Sequence, residues 1–157
     1  MPVSNYFFNL LGTGLICFTV AACDTTKYQE LGTARVKDGA FSQALVSEYR
    51  EFAKSEIAQY DWPDQQRIAV KGLAAASGKR PLPEDPANWR LNLNDASQLT
   101  AKRADLVHWL NTDGRHSTPI QAAKAQRNFD CWVEQKEENW QHDDIAACRQ
   151  GLQDNMP

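Results

Sequence analysis

No dense cluster of lysine and arginine occurs anywhere in the 157 residues, and the formal net charge is −3. A chain built to bind nucleic acid normally carries a basic patch, so nucleic acid is not an expected partner. No HxxxH or CxxC spacing is present, and His108, His116 and His142 are scattered. A metal site is therefore not expected, His142 beside Asp143 and Asp144 being the nearest approach to one. There is no CxxCH, no glycine-rich phosphate loop and no GxSxG, which leaves no cofactor and no nucleophilic triad to expect. A membrane-spanning helix needs about 20 consecutive apolar residues, and no such run exists. Strand-like runs, internal repeats and low-complexity tracts are missing too.

What is present suits one folded domain. Hydrophobic residues make up 42% of the chain, and five tryptophans and six phenylalanines are enough for a core. The first 22 residues stand apart, with no charged side chain. Phe7 to Val20 is apolar, short and interrupted by glycine and threonine, and the small residues Ala21 and Ala22 follow. This is the layout of a signal peptide, although Met1 to Asn5 lacks the usual basic residue.

Val20-Ala21-Ala22-Cys23 resembles the lipobox of bacterial lipoproteins. The resemblance implies that the Cys23 thiol is lipidated and that cleavage follows just before it. Cysteine bookkeeping agrees with export. Cys17 leaves with the signal and Cys23 carries lipid, so Cys131 and Cys148 remain as a candidate disulfide outside the cytoplasm. The expected organisation is a signal peptide over 1–22, a lipidated N-terminus and tether over 23–40, and a helical domain over 41–157.

Within that domain the pattern is helical. Phe41, Leu45, Tyr49, Phe52, Glu56 or Ile57, and Tyr60 recur at three- and four-residue spacing. Asp61 is an N-cap candidate with Pro63 in the first turn, and Gly78 is a left-handed stop with Lys79 and Arg80 beside it. The three prolines of 81–93 demand an extended loop, which Trp89 and Leu91 pin to the core. Asn94 or Asp95 caps a third helix through Leu99, Leu106, Val107 and Leu110, stopped by Gly114. Thr118-Pro119 opens a fourth helix carrying Ile120, Ala123, Phe129, Trp132 and Val133. A turn at Asn139-Trp140 leads to a short fifth helix started by Asp143 or Asp144. The expected fold is all-α: a small bundle of about five helices ending in a hairpin linked by Cys131–Cys148. Such a hairpin sets the two cysteines level across the turn.

Glu134, Glu137, Glu138, Asp143 and Asp144 form an acidic cluster near that turn. Paired carboxylates could act on cell-wall glycan; the plainer expectation is a solvated helix face. Trp132 beside Phe129 reads as core, and Trp140 as a partner contact. The stretch from Leu99 to Val107 resembles a piece of the peptidoglycan-binding OmpA-like domain, with Arg103 in the place of its peptide-contacting arginine. The Gly-His-Thr-Asp-type segment that should precede it is missing and no strands flank it, so ordinary helix chemistry is expected, with Arg103 and Asp105 facing outward.

The segments LPEDPANW (82–89) and FDCWVEQKEENWQHDDIAAC (129–148), with Tyr60-Asp61-Trp62 and Lys71 to Ala76, look like the N-terminal helical region of OmpA-family lipoproteins of alphaproteobacteria. The likeness covers roughly residues 27–152. Such proteins usually continue into a peptidoglycan-binding domain, whereas this sequence stops at Pro157. The resemblance implies a non-enzymatic, structural or scaffolding lipoprotein, anchored in the envelope and facing the periplasm, with an envelope protein as possible partner. A periplasmic enzyme or accessory subunit acting on glycan is the alternative. Asp24 after the lipidated cysteine is an inner-membrane signal in enteric bacteria; the family likeness favours the outer membrane.

Overall fold

A computed structural model describes residues 25–37 and 39–157. The predicted signal peptide, 1–22, and the lipidation candidate Cys23 lie outside the described residues. Among the described residues there is no strand. The helices are α1 (Thr26–Thr33), α2 (Ala40–Gln59), α3 (Trp62–Ala76), α4 (Leu93–Trp109), the single turn α5 (Arg115–Ser117), α6 (Pro119–Glu138) and α7 (His142–Asn155). None is long and apolar enough to cross a membrane. The all-α, disulfide-linked bundle expected from the sequence is the architecture observed.

Antiparallel α2 and α3 pack together, α6 lies against α2, and α7 folds back on α6. The core is their shared interior: Leu45, Val46, Tyr49 and Phe52 from α2, Ile68 and Ala69 from α3, Ala122, Phe129 and Val133 from α6. Leu99, Leu106 and Leu110 add the buried stripe of α4 and its continuation. Asp61 caps α3 as expected, its Oδ1 accepting from the Asp64 amide at 2.9 Å, and Gly78 takes a left-handed φ of 89° beyond it.

Several local expectations are corrected. The segment 24–40 is no free tether where it is described. Leu31 is fully buried against Gly72, where a Cβ would lie 2.8 Å from a Leu31 methyl. Arg50 holds this end of α1, its Nε donating to the Leu31 carbonyl and its Nη2 to that of Ala34, both at 2.9 Å. A cation thus adds a partner to the Leu31 carbonyl, which also accepts from the Ala34 amide, and binds the carbonyl of Ala34 just past the helix end. The cap of α4 is Asn92 rather than Asn94 or Asp95; its Oδ1 accepts from the Asp95 amide and its Nδ2 donates to the Asp95 carboxylate. Gly114 is not a left-handed stop. The chain runs on through a π-helical turn, Leu110–Gly114, into α5, and a Cβ at Gly114 would lie 2.9 Å from the Trp109 ring. α7 begins at His142 behind Gln141, with Asp143 and Asp144 in its first turn. Ile120 is exposed. Arg103 does not face outward freely: its Nε donates to the Pro83 carbonyl at 3.0 Å.

The proline-rich loop is held by a buried ionic knot. Asp130 of α6 accepts from Tyr49 Oη at 2.6 Å, Lys71 Nζ at 2.7 Å and the Glu84 amide at 2.7 Å. Lys71 also donates to Glu84 Oε1 at 2.8 Å, and Trp89 Nε1 donates to Glu84 Oε2 at 3.1 Å. The Arg67 guanidinium covers the Trp89 ring at 4.2 Å. Gln126 Nε2 donates to Tyr49 Oη and to the Pro81 carbonyl. Burial raises the Asp130 carboxyl from its ordinary range, and Lys71 opposes that shift.

Cys131 and Cys148 are bonded, with Cα atoms 5.7 Å apart and a sequence separation of 17. α7 buries Cys148 and Leu152, packs Ile145 against the core and sets Arg149 over the Trp132 ring, and the bond adds a covalent link to this packing. A loop of about 15 residues closed this way stabilises by about 3 kcal/mol in the chain-entropy model. Reduction should therefore lower Tm by roughly 10 °C and raise amide exchange first over residues 140–152. Two freely alkylated thiols in unreduced protein isolated from cells would refute the bond.

Candidate functional site

Two interhelical turns meet at one end of the bundle. α2 closes on Tyr60 with a left-handed φ of 64°, and α6 closes on Asn139 with φ 57°. Gln141 Nε2 ties the turns together, donating to Gln59 Oε1 across the end and to Glu138 Oε2 at 2.9 Å. Asparagine suits a left-handed cap. Tyrosine does not, since a Cβ in that conformation costs about 1–2 kcal/mol. Nothing in the core repays this, because Tyr60 is 78% exposed. Its ring meets half-buried Trp62 edge-on at 6.4 Å. Trp140, on the adjoining turn, is 68% exposed. Asp61, Asp64, Glu137 and Glu138 surround this aromatic end closely enough for Asp61, Glu137 and Glu138 all to act on Asp64.

The expected site residues divide accordingly. Trp140 is at the surface and Trp132, 2% exposed, is in the core, as the sequence suggested. Tyr60, expected on the apolar stripe, is instead beside Trp140's turn; its place directly before the capping Asp61 was the available signal. The acidic cluster splits. Asp143 and Asp144 are exposed and Glu137 and Glu138 half-buried, but Glu134 is 1% exposed. The expectation of a wholly solvated face is corrected because α6 turns Glu134 inward, toward α2. His108, His116 and His142 are all exposed, and among the described residues no group of three potential ligands could hold a metal ion.

Glu134 faces Glu56, which occupies the buried stripe position of α2 while Ile57 is only half-buried. Neither carboxylate oxygen of Glu134 has a hydrogen-bond partner among the described residues. Burial, then the Glu56 and Glu138 charges, push the Glu134 carboxyl up to about 9. Burial and the nearby aspartates push Glu56 up to about 7, and burial with Asp61 pushes Asp64 up to about 6. Glu134 adjoins a cavity of about 10 Å³ shared with Lys71, Glu84 and Asp130, room for about one water molecule. Glu56 lines a larger one, about 200 Å³, with Gln59, Arg127, Gln135 and Asp144. Glu134 can therefore hold a proton in the interior, but no space for a sugar opens on it.

Comparison of the chain with protein-family models, curated proteins and solved structures finds no match.

The raised carboxyls of Glu134, Glu56 and Asp64 make stability depend on pH. Folded Glu134 keeps its proton to about pH 9, whereas an ordinary glutamate loses it near 4.5. The folded state then binds more protons than the unfolded one, so stability falls as pH rises through that window. Glu56 and Asp64 add to the fall between their ordinary values and about 7 and 6. Glu134→Met, similar in volume and without a charge to bury, should raise unfolding free energy at neutral pH by about 1–3 kcal/mol. It should also flatten the slope toward alkaline pH in urea titrations. An unchanged slope would remove Glu134 from this role.

Proposed function

We propose that the chain is a non-enzymatic envelope lipoprotein, anchored through Cys23, whose helical domain is a docking scaffold for a protein partner. The observation that carries this reading is the aromatic end: Tyr60 and Trp140 are exposed on joined turns, and Tyr60 accepts backbone strain without serving the core. Exposed aromatics are the side chains that most often anchor interfaces. The acidic rim favours a partner surface rich in lysine or arginine. The disulfide supports an oxidising compartment, and Val20 to Cys23 supports lipidation. The likeness to OmpA-family lipoproteins supports the periplasmic face of the outer membrane as the address.

The docked α1 sharpens the scaffold reading. Only Asp24 and Thr25 separate Cys23 from the first turn of α1 at Thr26. Three extended residues reach about 10 Å, so an anchor at Cys23 holds the domain against the bilayer. The scaffold thus works at the membrane surface and does not range across the periplasm. The glycan-acting alternative draws on the raised carboxyls of Glu56 and Glu134, but the water-sized cavity beside Glu134 disfavours it; release of soluble muropeptides from peptidoglycan by the purified protein would restore it.

Two measurements test the proposal. Protein isolated from cells should carry acyl mass at Cys23, and Cys23→Ser should remain unprocessed; wild-type protein without acyl groups would sink the anchor. A photo-crosslinking residue at Tyr60 or Trp140 should capture an envelope protein in living cells, and Trp140→Ala should reduce that capture with helical circular dichroism unchanged. Tyr60→Gly should also reduce it while raising stability by up to about 1–2 kcal/mol, since glycine removes the left-handed penalty. Capture that survives both substitutions would place the partner elsewhere.

A further inference from the structure

At one corner of the bundle a cavity of about 270 Å³ is lined by Arg80, Arg115 and His116, by the first turn of α2 and by Pro119 at the start of α6. Two helices of 20 residues therefore begin at its wall. Both N-termini lack a side-chain cap among the described residues, and neither first turn contains an acid. The amides of Ala40, Phe41 and Ser42 precede the first intrahelical bond of α2, which Gln43 makes to the Gly39 carbonyl. Such amides carry the positive end of the helix dipole.

The independent observation is Arg115. Its side chain lines the cavity, the residue is only 9% exposed, and Nε and Nη2 have no hydrogen-bond partner among the described residues. Its Nη1 is held by Asn111 Oδ1, and the guanidinium lies 5.3 Å from the Phe41 ring centroid. Among the described residues no carboxylate neutralises it; the charge that acts on it is Arg80, a second cation. Nearby Asp113 does not line the cavity and accepts from Ser117 Oγ. A buried, always-charged guanidinium with two idle donors is costly unless an anion completes it.

We propose that this corner is an oxyanion-binding site for a phosphate group, seated between the Arg115 guanidinium and the α2 amides, with Arg80 and His116 at the rim. Planar guanidinium donors and helix N-termini both recur as protein ligands for phosphate oxygens. The phosphate is carried by a lipid headgroup or by a soluble molecule; the recognition chemistry is the same. The proposal is independent of the anchor and of the aromatic end.

The test is amide NMR of the full-length protein in a non-ionic detergent, titrated with inorganic phosphate at constant ionic strength against chloride. Saturable shifts confined to Ala40, Phe41, Ser42 and Arg115 Nε are expected. Arg80→Gln, at an exposed position, should weaken binding about tenfold. Gly39→Asp has open space for its side chain and supplies a carboxylate to the α2 N-terminus; it should abolish the shifts while raising Tm. A second arm replaces inorganic phosphate with nanodiscs of phosphatidylglycerol or of phosphatidylcholine. Shifts with free phosphate alone identify a soluble ligand, and shifts with phosphatidylglycerol identify a headgroup. No saturable shift in either arm, or equal shifts with chloride, would overturn the site.

Discussion

Asp130 is a carboxylate sealed inside the bundle, and the surrounding elements are arranged to satisfy it. Tyr49 reaches it from α2, Lys71 from α3 and the Glu84 amide from the proline-rich loop. Each donor belongs to a different segment, so one acceptor sets the relative positions of all of them. Removing one partner of such a buried ionic group typically costs about 3–5 kcal/mol, more than any single surface contact supplies. Lys71 doubles as the link to Glu84, and Glu84 to Trp89. The loop has no regular structure beyond one 3-10 turn, Pro86–Asn88, yet it becomes a fixed wall of the domain.

The hairpin of α6 and α7 extends this frame toward the aromatic end. α6 carries Asp130 into the knot, Cys131 into the disulfide and Glu134 toward Glu56. Little more than one turn of one helix thus holds a satisfied ion, a covalent staple and an unsatisfied proton-holding acid. The frame keeps Gln141 bonded to Gln59 and so sets Trp140's turn beside Tyr60. The docking surface proposed there depends on a rigid base. An aromatic pair on independently moving turns would lose ordering entropy on binding, whereas these two are positioned in advance.

Residues differ in how much of their role their immediate neighbours in the chain fix. Asp61, Gly78, Asn139 and the two bonded cysteines act within a few residues of themselves or across one turn, and their roles could be read directly. Tyr60 misled because it sits at the right helical spacing for the core. The stripe of α2 ends one position earlier than the spacing suggests, since the chain leaves the helix in a left-handed turn there. Glu134 misled in the opposite sense: three acids in a run of five look solvated, and only the rotation of α6 against α2 separates the buried one from its neighbours.

Periodicity and caps by themselves determined that this protein is helical and where most of its turns fall, because those features depend on short-range backbone chemistry; the pairing of Cys131 with Cys148 was expected from the cysteine count together with the reading of an exported chain. Tertiary packing alone decided that α1 docks through Leu31, that Glu56 shares the interior with Glu134, and that Arg115 is buried beside two helix N-termini. Each of these joins positions far apart in the chain, where an acid or a guanidinium has the same local signature whether it meets water or the core. The difference lies in the helices packed over it, and those are set by the whole fold.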